Sequence, residues 1–142
     1  MNIAIRFPRP AVLAAVFSLL FSLLPAVANA ADEDLGQAAG SVPVPAGLST
    51  SEVKDIIVGT LIGREWGVQS KTDDRVVAYL KHRSNEATLT VIYDASSINL
   101  YCVGWAINKK TGERKKPEQP EGWLKYIQKD LAKNLQKAVS LK

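Results

Sequence analysis

Residues 75–107 read RVVAYLKHRSNEATLTVIYDASSINLYCVGWAI, and this stretch decides the fold. Ala87, Leu89, Val91 and Tyr93 alternate with Thr88 and Thr90, the period-two pattern of a half-buried strand. The flanking runs, Val76 to His82 and Ile98 to Ile107, are equally rich in β-branched and aromatic residues. Ser84-Asn85 and the segment Asp94 to Ser97 separate the three runs. Connections this short require antiparallel neighbours, because a parallel return needs a long crossover. A shorter run, Trp66 to Ser70, precedes the turn at Asp73-Asp74 and adds a fourth strand. The expected sheet is a four-stranded antiparallel meander.

Each end of the meander carries a helix signal. On the N-terminal side, Ser49 and Glu52 form a capping box, with Leu48 and Val53 at the hydrophobic-staple positions. Val53, Ile56, Ile57, Thr60 and Leu61 trace one stripe at helical spacing, and Gly63 reads as the stop. Helix 49–62 follows. On the C-terminal side, residues 108–122 contain two prolines and two glycines and read as a polar loop. From about residue 121 to 138, Trp123, Leu124, Ile127, Leu131 and Leu135 fall within one arc of about 120°. Two amphipathic helices on one face would cover the apolar side of the sheet. The fold class expected is α+β, with the order helix, four strands, helix over residues 48–142.

The residues ahead of that domain read as targeting and tether. Arg6 and Arg9, the apolar run from Val12 to Leu24, and Ala28-Asn29-Ala30 have the three parts of a secretory signal peptide. Residues 1–30 are therefore expected to be removed near Ala30, with export to the periplasm or medium. The apolar run is too short to span a bilayer, and no later run is longer. Residues 31–47, acidic and then rich in Gly, Ala, Ser and Pro, read as a flexible linker. Cys102 is the one cysteine, so no intrachain disulfide is available and the core stabilises the fold alone.

The capped helix, Arg64-Glu65-Trp66-Gly67-Val68, Arg75-Val76-Val77-Ala78, Ala87 through Asp94 and the Trp123-to-Leu131 helix occur in this order. That order resembles a group of small exported or lipid-anchored proteobacterial proteins of uncharacterised function. The resemblance covers about residues 48–135 and implies the α-β4-α order. It supplies no catalytic residues. The group has a plainer polar segment where this chain has its Lys-rich loop.

Catalytic readings find little support in these residues. Ser51 with Lys54, and Lys110-Thr111-Gly112, match two short motifs of serine β-lactamases and penicillin-binding proteins. The chain is too short for such an enzyme, and Ser51 is already explained by the first turn of a capped helix. Cys102 and His82, the only histidine, are the alternative: a small periplasmic hydrolase or thiol enzyme. A meander places their strands two spacings apart, about 9.6 Å. One His and one Cys cannot build a zinc site, so no metal or cofactor is expected.

Charge is more informative. The full chain has 18 Lys+Arg and 14 Asp+Glu, a formal net of +4. Residues 31–107 hold six basic and ten acidic groups, whereas residues 108–142 hold ten basic and four acidic. Lys109, Lys110, Arg114, Lys115 and Lys116 crowd the loop. Lys125, Lys129, Lys133 and Lys137 lie opposite the apolar arc of the second helix. These nine residues are the expected contact for an anionic envelope component. Export and a small net charge argue against nucleic acid. Strand parity further places Val77, Tyr79, Tyr101 and Trp105 on the sheet face away from the helices. An apolar patch there would serve another envelope protein or a homodimer. The reading is of an exported, non-catalytic binding protein.

Overall fold

The computed structural model describes residues 34–142; the expected signal peptide and the first residues of the expected linker lie outside them. The elements run β1 (Gln37–Pro43), α1 (Thr50–Gly63), β2 (Gly67–Lys71), β3 (Arg75–His82), β4 (Asn85–Tyr93), β5 (Ser97–Ile107), β6 (Arg114–Pro117) and α2 (Glu121–Ser140). The fold is α+β: two helices and a six-stranded antiparallel sheet. Strands β2 to β5 form the meander. β5 is long enough, at 11 residues, to carry two more strands on its far edge. β1 pairs with Ser97 to Cys102, and β6 with Trp105 to Ile107.

Two expectations are corrected here. The segment 37–43 is an edge strand rather than part of a flexible linker. Its Gly, Ala and Ser residues bury little, but an edge strand is held chiefly by backbone pairing, here Gln37 to Pro43 against β5. Val42 and Val44 then anchor it, 4% and 9% exposed. Gly40, at φ 129°, sits at the bulge in this pairing, with the Gln128 amide over it. The Gln128 side chain donates to the Ala39 carbonyl at 2.7 Å, which ties β1 to α2.

The Lys-rich loop is likewise part hairpin. Asn108 organises the turn, accepting from the backbone of Lys110 at 2.9 Å and closing against Glu113 and Gly112 through its own backbone. Gly112, at φ 76°, supplies the left-handed residue that such loops need. β6 then returns along β5. A Cβ at Gly104 would collide with the Glu118 carbonyl, so the close return of the chain depends on that glycine.

α1 begins as its sequence indicates. The Ser49 hydroxyl accepts from the Glu52 backbone N–H at 3.1 Å, and Leu48 and Val53 are both buried. The Glu52 carboxylate does not complete the box; it pairs with Lys142 at 2.8 Å. The helix ends differently from expectation. The left-handed residue is Glu65, at φ 67°, and not Gly63. Trp66 N–H bonds the Leu61 carbonyl and Glu65 N–H the Ile62 carbonyl, both at 3.0 Å. This is a Schellman ending with a glutamate where glycine is usual. The Cβ costs about 1 kcal/mol in that conformation.

One core joins the layers. Val53, Ile57 and Leu61 of α1 and Leu124, Ile127, Leu131 and Leu135 of α2 bury their apolar sides. They pack in one cluster with Val76, Ala78, Leu89, Val91, Leu100 and Cys102 of the sheet. Asn134 of α2 donates to the Thr60 hydroxyl of α1 at 2.9 Å, so this part-buried polar pair between the helices is satisfied. No helix among the described residues is long and apolar enough to cross a membrane.

Candidate binding surfaces

α2 presents the basic residues that the helical spacing places on its outer side. Lys125, Lys129, Lys133 and Lys137 are all exposed. They recur every four residues and so form one row, about 18 Å long at 1.5 Å per residue. Among the described residues no ion pair holds any of the four. Asp130, on the same helix, is taken by Arg64 Nε at 2.5 Å. That hydrogen bond, chiefly, holds the Asp130 carboxyl below the usual aspartate range.

The loop residues divide. Lys109, Lys110, Lys115 and Lys116 are exposed in the hairpin and in β6. Arg114 is committed elsewhere. Its guanidinium bonds the Glu86 carboxylate and lies 5.0 Å over the Trp105 ring. It belongs to the outer face of the sheet and not to a free basic patch.

On that outer face, cross-strand pairing puts Val77, Thr90 and Tyr101 in one row, Tyr79, Thr88 and Val103 in the next, then Lys81, Glu86 and Trp105. Val77, Tyr79, Tyr101 and Trp105 thus share a face, but all four are half-buried. Two features reduce the apolar surface that is open there. Glu86 stands at one end of it, across from Trp105, accepting from the Tyr79 hydroxyl at 2.7 Å and from Arg114. Asp34 and Leu35 also reach the face, sharing a hollow of about 590 Å³ with Val77 and Thr90. The hydrogen bonds from Tyr79 first, then Arg114, hold Glu86 below its ordinary range. The bond to Glu86, then burial, raises the Tyr79 hydroxyl. A carboxylate lowered on folding stabilises fully above the unfolded glutamate range and loses that contribution as pH falls through its folded value. Glu86→Gln is therefore expected to cost about 1 kcal/mol at pH 7. The gap in urea midpoint between it and the parent should narrow as pH falls below the ordinary glutamate range.

The catalytic alternatives are not assembled. Cys102 is fully buried, and burial pushes its thiol up to about 11. It pairs with Leu89, which pairs with Ala78; His82 lies four residues further along β3, at an exposed strand end. Two strand spacings across and four residues along exceed any hydrogen-bond reach. Ser51 and Lys54 sit near Asp73 and Tyr93, whereas Gly112 lies against Lys81 at the other end of the sheet. Among the described residues no three His, Cys, Asp or Glu side chains gather as metal ligands.

A cleft that the sequence reading missed opens where α1 ends, β3 ends and α2 begins. It holds about 240 Å³ and is lined by Arg64, Glu65, Trp66, Leu80, His82, Trp123 and Tyr126. Trp66 and Trp123 meet edge to face, centroids 6.0 Å apart, and the His82 ring lies 6.5 Å from Trp123. These residues come from three distant parts of the chain, so no local spacing marks them.

No protein-family model matches the chain, and neither a curated protein nor a solved structure is detectably similar to it.

Proposed function

We propose that this is an exported, non-catalytic protein of the bacterial envelope that docks on an anionic surface through the α2 lysines. The observation that carries the reading is the exposed row Lys125, Lys129, Lys133 and Lys137, without an ion pair among the described residues, on a helix whose apolar side is occupied by the core. Such a helix cannot insert its apolar side into lipid without unfolding the domain. What remains is electrostatic contact with head groups, helped by the exposed Lys109, Lys110, Lys115 and Lys116. Each lysine near an anionic surface contributes about 1 kcal/mol, screened within a Debye length.

Sedimentation with vesicles tests this. Phosphatidylglycerol-containing vesicles should retain the protein at low salt, and pure phosphatidylcholine should not. Changing Lys125, Lys129, Lys133 and Lys137 together to Gln should weaken retention by about 4 kcal/mol, roughly a thousandfold. Unchanged retention and an unchanged salt slope in that variant would overturn the reading.

A further inference from the structure

We infer that the cleft between the end of α1 and the start of α2 is a binding site for a neutral sugar ring of the hexopyranose class. This site is separate from the lysine row and does not depend on it.

The lining narrows the class of ligand. Arg64 and Glu65 are adjacent on its rim, so a ligand of either net charge meets a like charge as well as an opposite one. A neutral molecule carrying both donors and acceptors escapes that conflict. Arg64 is fixed as a donor: Asp130 engages Nε and the guanidinium stacks 4.8 Å over the Tyr126 ring. Its terminal N–H groups make no other hydrogen bond among the described residues. Glu65 accepts, and the His82 imidazole offers one of each in its neutral form.

The remaining walls are aromatic apart from Leu80. Trp66 is 3% exposed and forms a rigid back wall, Trp123 is half-buried, and Tyr126 is 53% exposed at the mouth. A pyranose has one face of C–H groups, which packs on indole and phenol rings, and a rim of hydroxyls that donate and accept. A cleft of about 240 Å³ admits one such ring but not a drug-sized ligand.

Glu65 supplies an independent indication. It occupies a left-handed position, φ 67°, where glycine would terminate α1 without strain. A carboxylate kept in a strained conformation at the lip of a cleft is a pattern of ligand-holding positions. Fold stability alone would favour glycine there.

Two variants make the test. Glu65→Gly removes the carboxylate and relieves the strain, so its melting temperature should equal or exceed the parent's. Tyr126→Ala removes an exposed ring and should fold normally. Titration by tryptophan fluorescence and calorimetry would use glucose, galactose, N-acetylglucosamine and their β-linked disaccharides, with choline and acetate as charged controls. Saturable binding of at least one sugar is expected, weakened at least tenfold in each variant. The proposal is overturned if none of the sugars binds, if both variants bind as the parent does, or if choline or acetate binds in their place.

Discussion

A chain shortened to begin at Leu48 is expected to lose most of its stability, although the sequence reads that residue as the start of the domain. β1 pairs along Ser97 to Cys102, and its removal leaves this half of β5 as an unprotected edge. It also removes Val42 and Val44 from the core, each worth about 1.5–3 kcal/mol of burial. The backbone bonds, including Val44 N–H to the Ser96 carbonyl at 2.9 Å, add about 1 kcal/mol apiece. Part of this sum is offset, because ordering the strand costs conformational entropy. The remaining loss should reach at least about 4 kcal/mol, a large share of the 5–15 kcal/mol typical of a whole domain. Urea unfolding would measure it. Thiol labelling gives a second readout: Gln37 lies across from Cys102, so the thiol should react far faster in the shortened chain. Equal midpoints and equal labelling rates would show that β1 is dispensable.

How much was legible follows from the kind of interaction that holds each part. The four strands of the meander and both helices are read correctly because their signals are periodic. Ala87 to Tyr93 alternates since one face is buried, and the α1 stripe recurs since one side is. β1 and β6 bury almost nothing beyond Val42, so no period marks them. Backbone hydrogen bonds to β5 hold them, and these are silent in sequence. The hairpin at Asn108 and Gly112 carried a local signal that the surrounding lysines and prolines obscured.

The end of α1 shows a different limit. Gly63 was the natural stop by residue type, yet the chain turns two residues later, at Glu65. The turn is placed by Trp66, which must return to the core beside Leu61. Tertiary packing outweighs about 1 kcal/mol of local strain. The lysine row of α2 was legible, because helical geometry alone separates it from the Leu124-Leu131 side. Arg114 was not, since its commitment to Glu86 and Trp105 joins residues 28 and 9 positions away. The aromatic cleft depends entirely on such distant meetings.

Leu131→Ala is expected to be the most damaging single change on α2, costing about 3 kcal/mol. Leu131 is fully buried and belongs to the cluster that joins both helices to the sheet. Truncation there removes three buried carbons and leaves a cavity that fixed neighbours cannot fill. In a domain of this size the melting temperature should fall by more than about 10 °C. Its neighbours along the same helix give the contrast. Lys129 and Lys133 are exposed and hold no ion pair among the described residues, so replacing either should shift stability by less than about 0.5 kcal/mol. The comparison also bears on the anionic docking surface. If the lysines only solvated the helix, the fourfold Gln variant would match the parent in melting and in vesicle retention alike. If they bind, retention alone should fall. Leu131→Ala should melt early yet, below its transition, retain the lysine row and bind vesicles as the parent does. Loss of binding by folded Leu131→Ala would mean that the contact depends on the core and not on the row of charge.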